Sequence, residues 1–287
     1  MTPTAYRTFC TELITTLVNE APNNHLHGFD EKAWNSPLIG IAAGDDPLFQ
    51  KFKQVIGAVH WTPAEVFELA YPGDSAAAAD LRVISWVLPQ TAATLADQRK
   101  ETELPAPRWI YSRHYGEVFN EWLRIKVRDE FTSRGIRATA PTMVPHWAYR
   151  QTPQAGICSN WSERHAAYAA GLGTFGLSDG LITEAGKAVR IGSVVVEADI
   201  SVTPRTAASH TANCLFHARG SCGTCIERCP VDAISTAGHD KNLCHAYIRS
   251  VTAPYARQIS GEQVTPCGLC QTRIPCESRN PLKNSAM

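Results

Sequence analysis

The sequence predicts an α+β chain. A large N-terminal domain of mixed helix and sheet, residues 1–208, precedes a small cysteine-rich domain, residues 209–287. Three observations predict it. Eight of the ten cysteines fall between Cys214 and Cys276, and only Cys10 and Cys158 stand apart. The run LRVISWVLP (81–89) is β-branched and aromatic and is stopped by Pro89, the pattern of a buried strand. From Trp109 to Arg134, Ile110, Phe119, Leu123, Val127 and Phe131 recur at helical spacing, and Gly135 ends the run.

The remaining elements follow in order. Phe9, Leu13 and Leu17 fall at four-residue steps and predict an amphipathic first helix. PLIGIAAGDDPLFQKFK (37–53) holds a short apolar run, a Gly-Asp-Asp-Pro turn and a helix start. Residues 90–107 are polar and contain proline, so they read as a loop, and 138–160, with Pro141, Pro145, Pro153 and Gly156, as an irregular connection. In SNWSERHAAYAAGLGTFG (159–176), Ser159 or Asn160 can cap a helix. Gly171 can supply its left-handed C-cap. LIT, EAG and KAVRIGSVVVEADI read as a β-hairpin over 181–200, and Pro204 opens a polar linker.

Hydrophobic content of 44% and charged content of 19% describe an ordinary globular composition. Net charge is zero, so no global field draws the chain to nucleic acid or an anionic membrane. From Ser201 onward nine Lys/Arg stand against five Asp/Glu, a thin basic surplus and slight support for a tRNA partner. The N-terminus has no apolar signal core, and no window of about 18 apolar residues exists for a membrane span. A cytoplasmic location is the expectation, and in a reducing compartment clustered thiols argue for metal.

The cysteines form two groups: Cys214, Cys222, Cys225 and Cys229, then Cys244, Cys267, Cys270 and Cys276. Eight thiolates in two quartets is the number needed for two [4Fe–4S] clusters. In two-cluster ferredoxins the last cysteine of each run ligates the other cluster. Applied here, one cluster takes Cys214, Cys222, Cys225 and Cys276; the other takes Cys229, Cys244, Cys267 and Cys270. Pro230 suits a helix start that would turn Cys229 away from its neighbours. The spacing departs from the ferredoxin run, since seven residues separate Cys214 from Cys222 and Pro275 precedes its cysteine. The rival readings are zinc held by Cys222, Cys225, Cys267 and Cys270, which leaves four thiols over, and disulfides.

AAYAAGLGTFG (166–176), GLITEAGKAVRIGSVVVEADI (180–200), CPVDAI (229–234), HDKNLC (239–244) and CGLCQTRIPCESRNP (267–281) together resemble the corrinoid-dependent family of epoxyqueuosine reductases and reductive dehalogenases. The similarity covers residues 105–281. It implies a nitroreductase-like α/β domain joined to a two-cluster ferredoxin-like domain, with base-off cobalamin between them. Gly171, Gly173, Thr174 and Gly176 would then let backbone approach the flat macrocycle; as a rival reading, the glycines form a helix C-cap and a tight turn. The family places a catalytic Asp just ahead of a Glu-Arg pair. Ahead of Glu163-Arg164 this chain has Ile157, Cys158, Ser159 and Asn160, with no carboxylate. Cys158, His165 and Tyr168 are the candidate proton donors that remain.

The resemblance implies an iron–sulfur oxidoreductase that passes electrons to a corrinoid and reductively cleaves a small or nucleoside-like substrate. Its electrons would come from a flavodoxin or ferredoxin. Two alternatives stay open: an electron-transfer protein with a docking domain and no substrate of its own, and a scaffold whose clusters are structural.

Overall fold

The computed structural model describes residues 1–283; the last four residues of the expected second domain lie outside them. Helix α1 (Pro3–Glu20) leads by a loop to β1 (Leu38–Ala43). Asp46 caps α2 (Pro47–Ile56), and a Thr62–Glu65 capping box opens α3 (Pro63–Ala70). Then come β2 (Leu81–Pro89), α4 (Ala92–Gln98), the long α5 (Pro107–Ser133) and the short β3 (Ala138–Thr139). A hairpin of β4 (Tyr149–Thr152) and β5 (Gly156–Ser159) precedes α6 (Glu163–Ala169). Strands β6 (Gly173–Phe175) and β7 (Leu181–Thr183) pair, and β8 (Val189–Glu197) follows.

The main sheet has the order β1-β2-β8-β3, with antiparallel neighbours throughout. Both faces are covered. Ile84, Trp86, Leu88, Val194 and Val196 pack with α1 and α5; Val83, Val87, Ile191 and Val195 pack with α2, α3 and α6. Double burial explains why β2 reads as a continuous apolar run instead of an alternating one.

The cysteine-bearing region carries α7 (Leu215–Arg219), α8 (Thr224–Glu227), the small pair β9 (Ile234–Ser235) and β10 (Gly238–His239), α9 (Lys241–Tyr247) and α10 (Ala253–Ser260). It docks on α4, on the loop after it and on α5. Gln98 Nε2 donates to Cys267 O at 2.9 Å, Tyr247 Oη donates to Glu103 O at 2.6 Å, and Ile110 packs with Ala256 and Val264.

Several expectations need correction. Residues 90–107 include a helix, α4, capped by Thr91. The irregular stretch 138–160 contains a hairpin, which Asn160 braces through Ala148 N at 3.0 Å and His146 O at 2.9 Å. With Asn160 committed there, α6 begins after Ser162, not after Ser159 or Asn160. Strands β7 and β8 are not partners: a tight turn bridges Thr183 and Gly186, β7 pairs β6, and β8 takes the sheet centre beside β2. In α1 the fully buried stripe is Cys10, Ile14 and Val18, one residue beyond the expected one, because Cys packs as a small apolar residue. No helix starts at Pro230; a turn follows it, and Cys229 Sγ accepts the Ala233 N–H at 3.2 Å.

Gly192 on β8 tests this packing. A Cβ there would sit 2.6 Å from three atoms of the Trp86 indole, whose Nε1 donates to Asn120 at 2.8 Å. Gly192→Ala should lower stability by about 1–3 kcal/mol through overpacking. Urea denaturation of the two proteins side by side gives the number; equal midpoints would contradict the packing.

Candidate functional site

Two cavities are built around the cysteines. Cys214, Cys222, Cys225 and Cys276 line the first, with Leu177, Ile182, Phe216 and Ile274 as its apolar wall. Cys229, Cys244, Cys267 and Cys270 line the second. The structure therefore brings together all eight cysteines singled out in the sequence, four at each cavity. The pairs that zinc would need, Cys222/Cys225 and Cys267/Cys270, border different cavities. All ten cysteines are unbridged, and among the described residues no three His, Cys, Asp or Glu side chains converge on a single-ion site.

The sites are electrostatically unusual. Burial pushes the Cys225 and Cys244 thiols up to about 11 and Cys267 to about 12, with neighbouring thiols adding to the rise. Crowded, desolvated thiols do not ionise together unless positive charge accompanies them. Two buried cations stand beside them. Lys187 lines the first cavity, and its Nζ donates to Ser178 Oγ at 2.7 Å. The Arg228 guanidinium donates to the carbonyls of Leu269, Thr272 and Glu101. Neither makes an ion pair among the described residues, although buried cations ordinarily have an anionic partner.

The second cavity adjoins a larger one of about 550 Å³; both are bordered by Arg113, Arg164, Gly180, Val189, Arg190 and Gln271. Trp147, Tyr149 and Trp161 add aromatic faces to the larger cavity. Its floor is an ion network. Glu117 Oε1 lies 3.1 Å from Arg124 Nη1, and Glu117 Oε2 lies 3.2 Å from Arg190 Nε. These arginines overcome burial and draw the Glu117 carboxyl down to about 2. Arg124 Nη2 also lies 3.3 Å from Glu163 Oε1.

Glu163 differs from Glu117. Burial pushes its carboxyl above the usual range, and the Glu117 charge adds to that rise against Arg124 and Ser193. Trp161 Nε1 donates to Ser193 Oγ at 3.1 Å, and Ser193 Oγ donates to Glu163 Oε2 at 2.5 Å. Glu163 Oε1 has no hydrogen-bond partner. A half-buried carboxyl raised by burial, at the edge of a cavity, is a candidate to hold and release a proton. The sequence reading missed it by searching ahead of the Glu-Arg pair instead of at it. The available signal was on α5, where Arg113, Glu117, Glu121 and Arg124 repeat at helical steps and line this same cavity.

The donors named from sequence lie elsewhere. His165 and Tyr168 line another cavity, of about 690 Å³, which shares Arg164 with the cavity of about 550 Å³. Cys158 sits on β5 with its Sγ 3.9 Å from Thr152 Oγ1. Of the glycine block, Gly171 has φ +75° and ends α6. A Cβ on Gly173 would meet Ile182 O at 2.5 Å. Thr174 is buried, and its Oγ1 accepts from Asn213 N at 2.8 Å. Gly176 borders the first cysteine cavity and the cavity that His165 lines.

No protein-family profile and no curated protein matches this chain. Solved structures do. A structure of epoxyqueuosine reductase from Bacillus subtilis, with its catalytic loop swung out of the active site, aligns over 93% of this chain with TM-score 0.50 and 17% identity. The fold is that of this reductase. The chain spans 66% of the reductase's length. A selenomethionine-labelled epoxyqueuosine reductase aligns over 84% of this chain and 61% of its own (TM-score 0.46, 16% identity). Another, with an epoxyqueuosine-modified tRNA stem loop, aligns over 93% and 66% (TM-score 0.49, 16% identity). Among the described residues no helix is long and apolar enough to cross a membrane.

The raised Glu163 carboxyl sets the sign of a pH effect. Its protonated form is the one the fold favours, so its contribution is complete below the ordinary value of 4.5 and is lost as pH rises through the folded value. Glu163→Gln, a mimic of the protonated form, should be more stable than the wild type at pH 8. The gap should close as pH falls toward 4.5. Denaturant melts at several pH values check it; a variant less stable at every pH would refute the assignment.

Proposed function

We propose that this chain is an iron–sulfur oxidoreductase that holds two [4Fe–4S] clusters and directs their electrons into the charged cavity beside the second cysteine quartet. One observation carries the reading: eight cysteines enclose two cavities, four to each, and the second cavity adjoins the charged one. The donor set fits the clusters. Four thiolates border each void; buried Lys187 lines the first, and buried Arg228 bonds the carbonyls of Leu269 and Thr272 on either side of Cys270, which suits an anionic metal–sulfur group. In this reading residues 1–208 are the nitroreductase-like substrate domain and 209–287 the ferredoxin-like domain. The clusters supply single electrons when bound.

The chain's own residues do the rest. Arg113, Arg124, Arg164, Lys187 and Arg190 outnumber Glu117, Glu121 and Glu163 on the wall of the central cavity, so it favours a ligand that carries negative charge. Trp147 and Tyr149 offer faces to an aromatic base. A nucleoside phosphate meets both requirements. Glu163 holds a proton there, set by Ser193 and Arg124, and supplies it to the leaving oxygen when the substrate bond is cleaved reductively.

The corrinoid that the resemblance implies does not fit the glycine block, because Gly171, Gly173 and Thr174 face the chain itself. The place left for it is the central cavity, and no step here is assigned to it.

Anaerobic reconstitution should give about eight irons per chain and a broad absorbance near about 400 nm. Cys225→Ser and Cys270→Ser, one from each quartet, should each lose about half the iron. Loss of all iron in both, or zinc in its place, would end the reading. Cobalamin added under reducing, anaerobic conditions should stay with the protein through gel filtration and show a base-off spectrum. Cobalamin that elutes free would move the proposal to an electron carrier with no substrate of its own.

A further inference from the structure

We propose that Lys187 is a fixed positive charge that tunes the first cysteine quartet, raising the reduction potential of the group that Cys214, Cys222, Cys225 and Cys276 hold. The inference rests on the cluster reading above and adds a role for a residue outside the ligand set.

Lys187 is 3% exposed. An ammonium has three donors, and Ser178 Oγ, at 2.7 Å, takes one. No carboxylate lies within ion-pair distance of it among the described residues. Lys187 lines both the first cysteine cavity and the central cavity, while Ser178, which holds its Nζ, borders the second cysteine cavity. Its position is fixed from three sides. Its backbone N–H donates to Cys276 O at 2.8 Å, which ties it to a member of the quartet. Its stem passes over Gly180, where a Cβ would fall 2.5 Å from Lys187 Cδ and 2.7 Å from Cγ. The preceding Gly186, at φ +80°, has no room for a side chain against the backbone of Glu277.

Arg228 beside the second quartet is a useful contrast. Carbonyl oxygens of three residues take its donors, so it stitches the fold together. Lys187 makes one side-chain hydrogen bond, and that bond does not explain why a cation is buried there. A group that gains an electron gains negative charge, and a desolvated ammonium nearby stabilises the reduced form. No bond forms or breaks at Lys187; the electron comes from the external reductant.

The experiment is a redox titration with dithionite, followed by electron paramagnetic resonance, on reconstituted wild type, Lys187→Met and Lys187→Arg. Cys225→Ser identifies the signal of the first quartet by abolishing it. In Lys187→Met that signal should move to lower potential, so that its reduced-to-oxidised ratio at fixed solution potential falls about tenfold. The second signal should stay put, and Lys187→Arg should restore the first. Loss of the first group's iron in Lys187→Met but not in Lys187→Arg would also support the proposal, since charge alone separates the two. The proposal is overturned if the first signal does not move, if both signals move alike, or if both variants lose the iron. Wild type that holds no cluster would fail the reading beneath it instead, and that shows before any variant is made.

Discussion

The structure depends on how the segment around Cys276 is pinned. Cys276 closes the first quartet from 47 positions beyond Cys229, the last cysteine of its own sequence group, so the chain must return accurately. The next residue secures that return. Glu277 is 4% exposed, and its carboxylate accepts from Arg99 Nε at 2.8 and 3.1 Å and from Arg273 N. Its carbonyl accepts from Lys187 N and Ala188 N. One residue thereby joins α4, the turn before β8 and the closing cysteine. A buried carboxylate is costly without partners, and here the partners are the two parts of the molecule. Removing the Glu277 side chain would delete the bonds to Arg99 and to Arg273 N, and with them the side-chain tie between α4 and the Cys276 segment.

The same logic runs through the charged interior. The chain is neutral overall, yet Arg124, Lys187 and Arg228 are buried and Glu117 and Arg190 are half-buried. Three of the five pair with one another along α5 and β8. Desolvation draws Arg190 down to about 10, so the network has a cost that packing alone would not incur. Buried ion networks of this kind fix geometry more than they add stability. What this one fixes is the wall on which Glu163 sits.

Legibility from sequence followed the range of the cause. Cysteine spacing alone shows two sequence groups; the sets that border the cavities exchange Cys229 and Cys276 between those groups, an exchange read by applying the two-cluster ferredoxin pattern. β2 and α5 were legible because each carries its pattern within itself. The 181–200 stretch was not, because what separates β7 from β8 is the demand of β2, whose partners there lie 100 or more residues away. The 149–159 hairpin was hidden by its prolines and glycine and by the remote role of Asn160. Lys187 could not have been singled out: nothing near it in sequence says that Ser178 and Gly180 bury its stem or that Cys276 comes to meet it.

Glu163 shows why position decides more than residue type. Glu117 and Glu163 share Arg124 and border the same cavity, yet their carboxyls move in opposite directions. Glu117 has Arg113, Arg124 and Arg190 around it, and their charges outweigh burial. Glu163 has Arg124 at 3.3 Å, a hydroxyl on one oxygen and no hydrogen bond on the other, so burial prevails. Two carboxyls separated this way can divide the work: one stays ionised and holds the arginines, and the other keeps a proton to give. A carboxyl raised by burial therefore borders this cavity although the residues just ahead of the Glu-Arg pair contain no carboxylate.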